Sequence, residues 1–189
     1  MQKGKPVTLE EFLEWEEKQP ERYEYIDGEI YAMAGALRPH TVIAALATTQ
    51  LNIQLRDTDC VATESDTGVL LEDHYAYPDV TVVCGEEIFH EKRKDVILNP
   101  IVVIEVLSRS TGKYDRTDKL YAYQQIASLQ AYLMIWQTKP IAELYTRQDD
   151  DLPWRQSLFV GIETVVPLEC IGCELKLSEV YRRTKFEAE

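Results

Sequence analysis

Asp79 and Glu105 each interrupt a run of apolar residues, in "YPDVTVVC" (77–84) and "PIVVIEVL" (100–107). A lone ionised carboxylate among such neighbours is costly unless it is paired or coordinates a cation. Taken singly, each acid reads as a solvated strand end or as half of a salt bridge. Taken together, if the two strands are neighbours, both carboxylates point into one pocket and repel each other. A hard divalent cation such as Mg²⁺ relieves that repulsion. It would also polarise a phosphoryl oxygen and activate water for attack.

Lys119 follows Glu105 by 14 positions (119 − 105), near the start of the next helical segment. Its four-carbon arm can reach back to the same pocket, to hold an attacking water or to stabilise charge on a phosphate oxygen. The competing expectation is a solvated helix lysine, paired locally with Asp115 at i−4. Tyr123 shares the helix face of Lys119 and either lines a cleft or fills core. His40 opens the second helical segment and either caps or packs it, or approaches a phosphate. Ser108, Ser110 and Thr111 follow the strand of Glu105, where they can bond phosphate oxygens or cap the next helix. Glu64 and Asp66 lie one strand before Asp79, and a loop role is expected for them.

The elements that must position these groups are legible from spacing. "VTLEEFLEWEEK" has Thr8 and Glu11 in capping-box spacing ahead of Leu9, Phe12, Leu13 and Trp15, an amphipathic helix. "ERYEYIDGEIYAMAG" alternates around Asp27-Gly28, a hairpin signal. "HTVIAALATTQLNIQL" has helical apolar spacing. "TGVLLE", "YPDVTVVC" and "PIVVIEVL" read as strands, the last two apolar enough to be covered on both faces. "YDRTDKLYAYQQIAS" reads as a helix with Leu120, Tyr121, Tyr123 and Ile126 inward. "AYLMIWQ" is a buried strand, "IAELYTR" and "WRQSLFVG" are antiparallel ones, and "LKLSEVYRRTK" closes with a short strand or loop and a terminal helix. Helices at the start, after the hairpin and between buried strands predict a single α/β domain over residues 1–189, built on one mixed, curved sheet.

Composition agrees with a globular chain of 189 residues, 45% hydrophobic and 28% charged, rather than a disordered or fibrous one. No apolar run reaches the ~20 residues needed to span a bilayer. The segment "MQKGKPVTLEEFLEW" lacks the apolar centre of a signal peptide, so a cytoplasmic protein is expected. A net charge of −13 argues against non-specific coating of nucleic acid, which is driven by phosphate neutralisation. It leaves room for a local basic face. From 90 to 119 the bases are Lys92, Arg93, Lys94, Arg109, Lys113, Arg116 and Lys119 against five acids, although a mixed surface is the simpler expectation. Of four cysteines, Cys60 and Cys84 are isolated and 24 positions apart (84 − 60). Cys170 and Cys173 form a CxxC without histidines nearby, which suits a glycine-containing turn better than zinc. Reduced, structural thiols are expected.

The ordered set "YEYIDGEIYAMAG" with Glu24, His40, "YPDV" with Asp79, "NPIVVIEVLSRST" with Glu105, "YDRTDKLYAY" with Lys119, "SLQAYLMIW" and "LSEVY" resembles the Uma family, restriction-endonuclease-like proteins of the PD-(D/E)XK nuclease superfamily. The resemblance covers nearly the whole chain. It implies a restriction endonuclease-like α+β core, a mixed sheet flanked by helices, with a Mg²⁺ site at one end of the central strands, where Mn²⁺ can substitute. It implies Asp79, Glu105 and the Val106 carbonyl as metal ligands, and Glu24 as an active-site carboxylate orienting metal-bound water. The superfamily pattern places its lysine two residues after the acid, where this chain has Leu107. Lys119 looks like the relocated lysine.

The function expected from the resemblance is a metal-dependent endonuclease with DNA as substrate, contacted by His40, Ser108 and Tyr123. The alternative is a catalytically inactive nuclease fold kept for binding or dimerisation, favoured by the acidity and by the absence of lysine at 107. Hydrolysis of a small phosphoester fits the acidity but has no distinguishing motif. A homodimer is expected, since most soluble oligomers are two-fold and two sites suit two strands.

Overall fold

The computed structural model describes residues 8–26, 28–33, 35–71, 73–108, 116–148 and 152–186. The first helix, α1 (Leu9–Glu16), begins where the sequence places its cap. The Thr8 hydroxyl accepts the Glu11 N–H at 3.2 Å, and the Glu11 carboxylate accepts the Thr8 N–H at 3.0 Å. The hairpin β1 (Tyr23–Ile26) and β2 (Glu29–Ala32) turns through Gly28 at φ 82°, a conformation that glycine reaches without strain. Asp27 of that turn lies outside the described residues. Helix α2 (Arg38–Leu55) has Pro39 in its first turn and buries Ile43, Ala47, Leu51 and Leu55 at four-residue spacing.

Strands β3 (Cys60–Glu64), β4 (Gly68–Leu71), β5 (His74–Ala76), β6 (Val80–Cys84), β7 (Val96–Ile97) and β8 (Val102–Leu107) follow, then helix α3 (Asp118–Gln124). The rest comprises β9 (Ala131–Trp136), β10 (Ile141–Thr146), β11 (Arg155–Val160), β12 (Val165–Leu168), β13 (Cys173–Lys176) and a single helical turn, α4 (Leu177–Val180). The expected mixed sheet is six-stranded, in the order β11-β10-β9-β8-β6-β3, with β8 and β9 parallel. It does not hold every strand. A second, five-stranded sheet runs β2-β1-β5-β4-β7, and β12 pairs with β13 alone.

All six residues of β8 are buried, because both of its faces are covered. On one face Val102, Ile104 and Val106 join Leu133 and Ile135 of β9 in a core closed by α2, the β12–β13 pair and α4. On the other, Val103 and Leu107 join Tyr132, Met134, Ala122 and Tyr123, together with Val69, Leu71 and Ala76 of the second sheet. A third cluster, with Phe12, Tyr25, Tyr75 and Tyr77, seats α1 on the five-stranded sheet. Glu105 therefore leaves β8 between the two sheets, next to α3.

Two further expectations are corrected, and two strands are added. Cys60 and Cys84 are not separate thiols: they are register partners across β3 and β6 and form a disulfide, while Cys170 and Cys173 remain free. Tyr121 points outward, 68% exposed, because the inward stripe of α3 is Lys119, Ala122 and Tyr123, continued by Ile126. The strands β5 and β7, too short to show a pattern of their own, are formed by their partners β1 and β4. As expected, "CIGC" is a turn: Gly172 takes φ 63° and Cys173 opens β13. Among the described residues no helix is long and apolar enough to cross a membrane.

Candidate active site

β6 and β8 pair as far as Val80 and Ile104, so the next step along each strand brings Asp79 opposite Glu105. Asp79 lies just beyond the start of β6. Its Oδ2 accepts the Val106 N–H at 2.7 Å, the side chain taking the place of a strand partner where the ladder has ended. His40, in the first turn of α2, brings Nε2 to 3.2 Å from the same oxygen.

Glu105 and Lys119 meet from different elements. Lys119 lies in the first turn of α3 with its side chain 6% exposed, and its Nζ is 2.8 Å from Glu105 Oε1 and 3.0 Å from Glu24 Oε1. One helical turn later the Tyr123 hydroxyl donates to the same Glu105 oxygen at 3.1 Å. Glu24, on β1, also accepts the Tyr77 N–H at 3.2 Å. The Tyr77 hydroxyl donates to buried Glu16 of α1 at 2.8 Å, and burial, reinforced by that carboxylate, pushes it up to about 12.

Six residues singled out by sequence, Glu24, His40, Asp79, Glu105, Lys119 and Tyr123, are thus brought together where the two sheets and two helices meet. Val106 joins them through its N–H. Lys119 is not a solvated helix lysine. Ser108 is half-buried just past the end of β8. Ser110, Thr111 and Asp115 lie outside the described residues. Glu64 is exposed at the end of β3, and Asp66 pairs with Arg22.

The described bases of the 90–119 window do not gather into one outward face. Lys92 pairs with Glu10 and Glu14, buried Arg93 with Glu16 and Asp95, Arg116 with Glu143, and Lys119 with the acids above, while Lys94 is exposed. Arg109 and Lys113 lie outside the described residues.

Three carboxylates against one ammonium leave this cluster net negative, at −2 with His40 neutral. Its carboxylate oxygens fit a hard divalent cation in charge and donor type. Among the described residues no three His, Cys, Asp or Glu side chains form a ready-made metal cage.

Sequence reasoning passed over one further constellation. Glu143 interrupts "IAELYT" as Glu105 interrupts "VVIEVL", and this same signal points to it. Glu143 is 8% exposed, and its Oε1 accepts from Arg116 Nε at 3.1 Å and from Trp136 Nε1 at 3.0 Å, with Arg116 Nη2 in an ion pair at 2.9 Å. The Arg116 guanidinium lies 4.3 Å from the centroid of the Trp136 ring.

Residues 9–178 match the family model Uma2, described as "Putative restriction endonuclease". Two proteins of Synechocystis sp. are similar. The uncharacterized protein slr1290 is 35% identical over 95% of this chain and 94% of its own length. The uncharacterized protein sll1609 is 32% identical over 77% of this chain and 84% of its own. The crystal structure of a putative nuclease belonging to DUF820, from Anabaena variabilis, shares the fold with a TM-score of 0.75 at 22% identity, across 94% of this chain and 98% of that one.

Proposed function

The chain belongs to the Uma2 family, described as putative restriction endonucleases, and from that premise we propose that it is a metal-dependent endonuclease hydrolysing phosphodiester bonds of DNA. The observation that carries this reading is the buried Lys119 ammonium held between Glu24 and Glu105, beside Asp79. Burying a cation and an acid beside two half-buried acids at the end of a sheet is expensive, and replacing buried ion pairs by apolar residues often stabilises a fold. Chemistry at the site accounts for their presence.

In this reading Asp79, Glu105 and the Val106 carbonyl would hold Mg²⁺, or Mn²⁺ in its place. When bound, the cation supplies Lewis-acid polarisation of the scissile phosphate and lowers the pKa of an attacking water. Glu24 accepts a hydrogen bond from that water and orients it. Lys119 supplies a fixed positive charge where negative charge builds on the phosphate oxygens. His40 and Tyr123, expected to meet substrate, act through the carboxylates they touch: His40 holds Asp79 and Tyr123 holds Glu105. Ser108, just past the end of β8, bonds a phosphate oxygen. The enzyme works as a homodimer, one site for each strand of DNA.

The second reading, a nuclease fold kept for binding or dimerisation, is favoured by the net charge of −13 and by the internal pairing of Lys92, Arg93, Arg116 and Lys119. Plasmid nicking with Mg²⁺ or Mn²⁺, comparing the parent with Glu105→Gln, separates the two. Nicking by the parent that is lost in the variant supports the endonuclease. Equal nicking by both points to a contaminant or another site, and no nicking by either on several DNA substrates favours the binding module.

A further inference from the structure

Glu143 lies in line with Glu105. Glu105 pairs with Met134 across β8 and β9, and Met134 pairs with Glu143 across β9 and β10, so both acids leave the same face of the sheet. Two strand spacings put their backbones ~10 Å apart. Each acid is met by a cation from one short stretch of chain, Lys119 for Glu105 and Arg116 for Glu143.

The two cations differ in access. The Lys119 side chain is 6% exposed and the Arg116 side chain 34%. Arg116 is also pre-shaped. The Trp136 ring backs its guanidinium at 4.3 Å, and the buried Glu143 oxygen fixes Nε and Nη2. Arginine carries five N–H donors in a planar fork, and the bonds to Glu143 do not involve Nη1. A guanidinium already stacked and oriented loses little freedom on taking an anion. A polyanion approaching the negative Glu24–Asp79–Glu105 cluster needs a local positive charge, because the net charge of −13 repels it overall.

We propose that Arg116, stacked on Trp136 and held by Glu143, is a phosphodiester-binding residue that takes a phosphate of the nucleic-acid strand next to the one being cleaved. The inference rests on the nuclease reading above. Lys119 serves the reacting phosphate, and Arg116 holds the strand in register two β-strands away.

The test is fluorescence anisotropy of a short labelled DNA duplex and of its single strand, followed against salt with Ca²⁺ present, alongside plasmid nicking. Arg116→Gln is expected to bind about tenfold more weakly, the worth of one charge-assisted hydrogen bond. Its log affinity against log salt should also be shallower by about one, the contribution of one neutralised phosphate. A purely structural arginine would lower thermal stability without changing that slope. Arg116→Lys keeps the charge and loses the fork, so it should keep the slope and lose affinity. If Arg116→Gln does not fold, Arg116→Lys decides: affinity equal to the parent overturns the proposal. Parent-like affinity and slope in Arg116→Gln, with a parent that binds and nicks, overturn the proposal and leave the nuclease reading standing. A parent that neither binds nor nicks overturns both.

Discussion

The Lys119 ammonium bridges the two sheets: Glu24 Oε1 at 3.0 Å belongs to β1 of the five-stranded sheet, and Glu105 Oε1 at 2.8 Å belongs to β8 of the six-stranded one. The same cation therefore holds the architecture together and stands at the proposed reacting centre. Removing it leaves buried Glu105 and half-buried Glu24 without their charge partner, a loss that costs about 3–5 kcal/mol where a buried pair is broken. Lys119→Met should therefore lose stability on that scale in urea unfolding, as well as losing nicking activity. A Met variant as stable as the parent would mean that Glu24 and Glu105 tolerate each other uncompensated.

Glu105→Gln separates chemistry from stability better. The amide oxygen still accepts from Tyr123, and Lys119 keeps Glu24, so the fold should persist. The metal-ligating charge is gone, and the nicking rate should fall by at least about 10²-fold, the scale seen on removing one electrostatic group from a catalytic site. A folded Glu105→Gln protein that nicks at the parent rate would remove Glu105 from the mechanism.

Metal binding can be read without catalysis. A ligand that binds only the folded state stabilises it by about 2.7 kcal/mol at a hundred times its dissociation constant. Mn²⁺ or Mg²⁺ should therefore raise the melting temperature of the parent, and Asp79→Asn and Glu105→Gln should abolish the rise. An equal rise in all three proteins would locate the metal elsewhere.

Much of this site is written locally in the chain, and the rest is not. Asp79 and Glu105 stand out because each breaks an apolar run, and β8 is such a run because its two faces meet two different cores. The Thr8–Glu11 cap and the Asp27-Gly28 turn are local signals, as is the four-residue spacing in α2. The division into two sheets depends on pairings between distant segments, β1 with β5 and β4 with β7, and no local pattern encodes them. The disulfide depends on register: Cys60 and Cys84 look isolated until β3 is laid against β6. In α3 the apolar residues mislead, because a lysine belongs to the inward stripe and rotates the face away from Tyr121. Glu143 was legible by the logic that found Glu105, and its meaning came only when Arg116 and Trp136 closed on it.

The disulfide makes a stoichiometric prediction. Denatured protein without reductant should show two reactive thiols, Cys170 and Cys173, and four after reduction. At a sequence separation of 24, replacing both Cys60 and Cys84 by serine should cost about 3 kcal/mol on the loop-entropy model. Four thiols before reduction would show the two strands joined by hydrogen bonds alone.

Gly68 leaves no room for a side chain. A Cβ there would stand 2.6 Å from Tyr75 Cζ and 2.7 Å from Cε2, and Tyr75 is fully buried between Phe12 and Tyr77. Gly68→Ala should therefore destabilise by about 1–3 kcal/mol through overpacking. Gly28→Ala meets no atom within 4 Å and is penalised only through its positive φ. Equal losses from the two variants, measured by urea unfolding, would show that Tyr75 moves aside.

Acid stability should report on Arg93 and Asp95. Arg93 is 4% exposed and donates to both oxygens of Asp95, at 2.8 and 2.6 Å, while also binding the Leu13 carbonyl and Glu16. The guanidinium holds the Asp95 carboxyl below the usual aspartate value. A carboxyl lowered on folding adds stability that is present above its unfolded pKa and is lost as pH falls through its folded one. Asp95→Asn should thus melt lower than the parent at neutral pH and converge with it at pH values well below about 4. Half of Asp95 is open to water, so the gap should also narrow in high salt. Melting curves that stay parallel down to the acid end would show that Asp95 contributes no proton-linked stability.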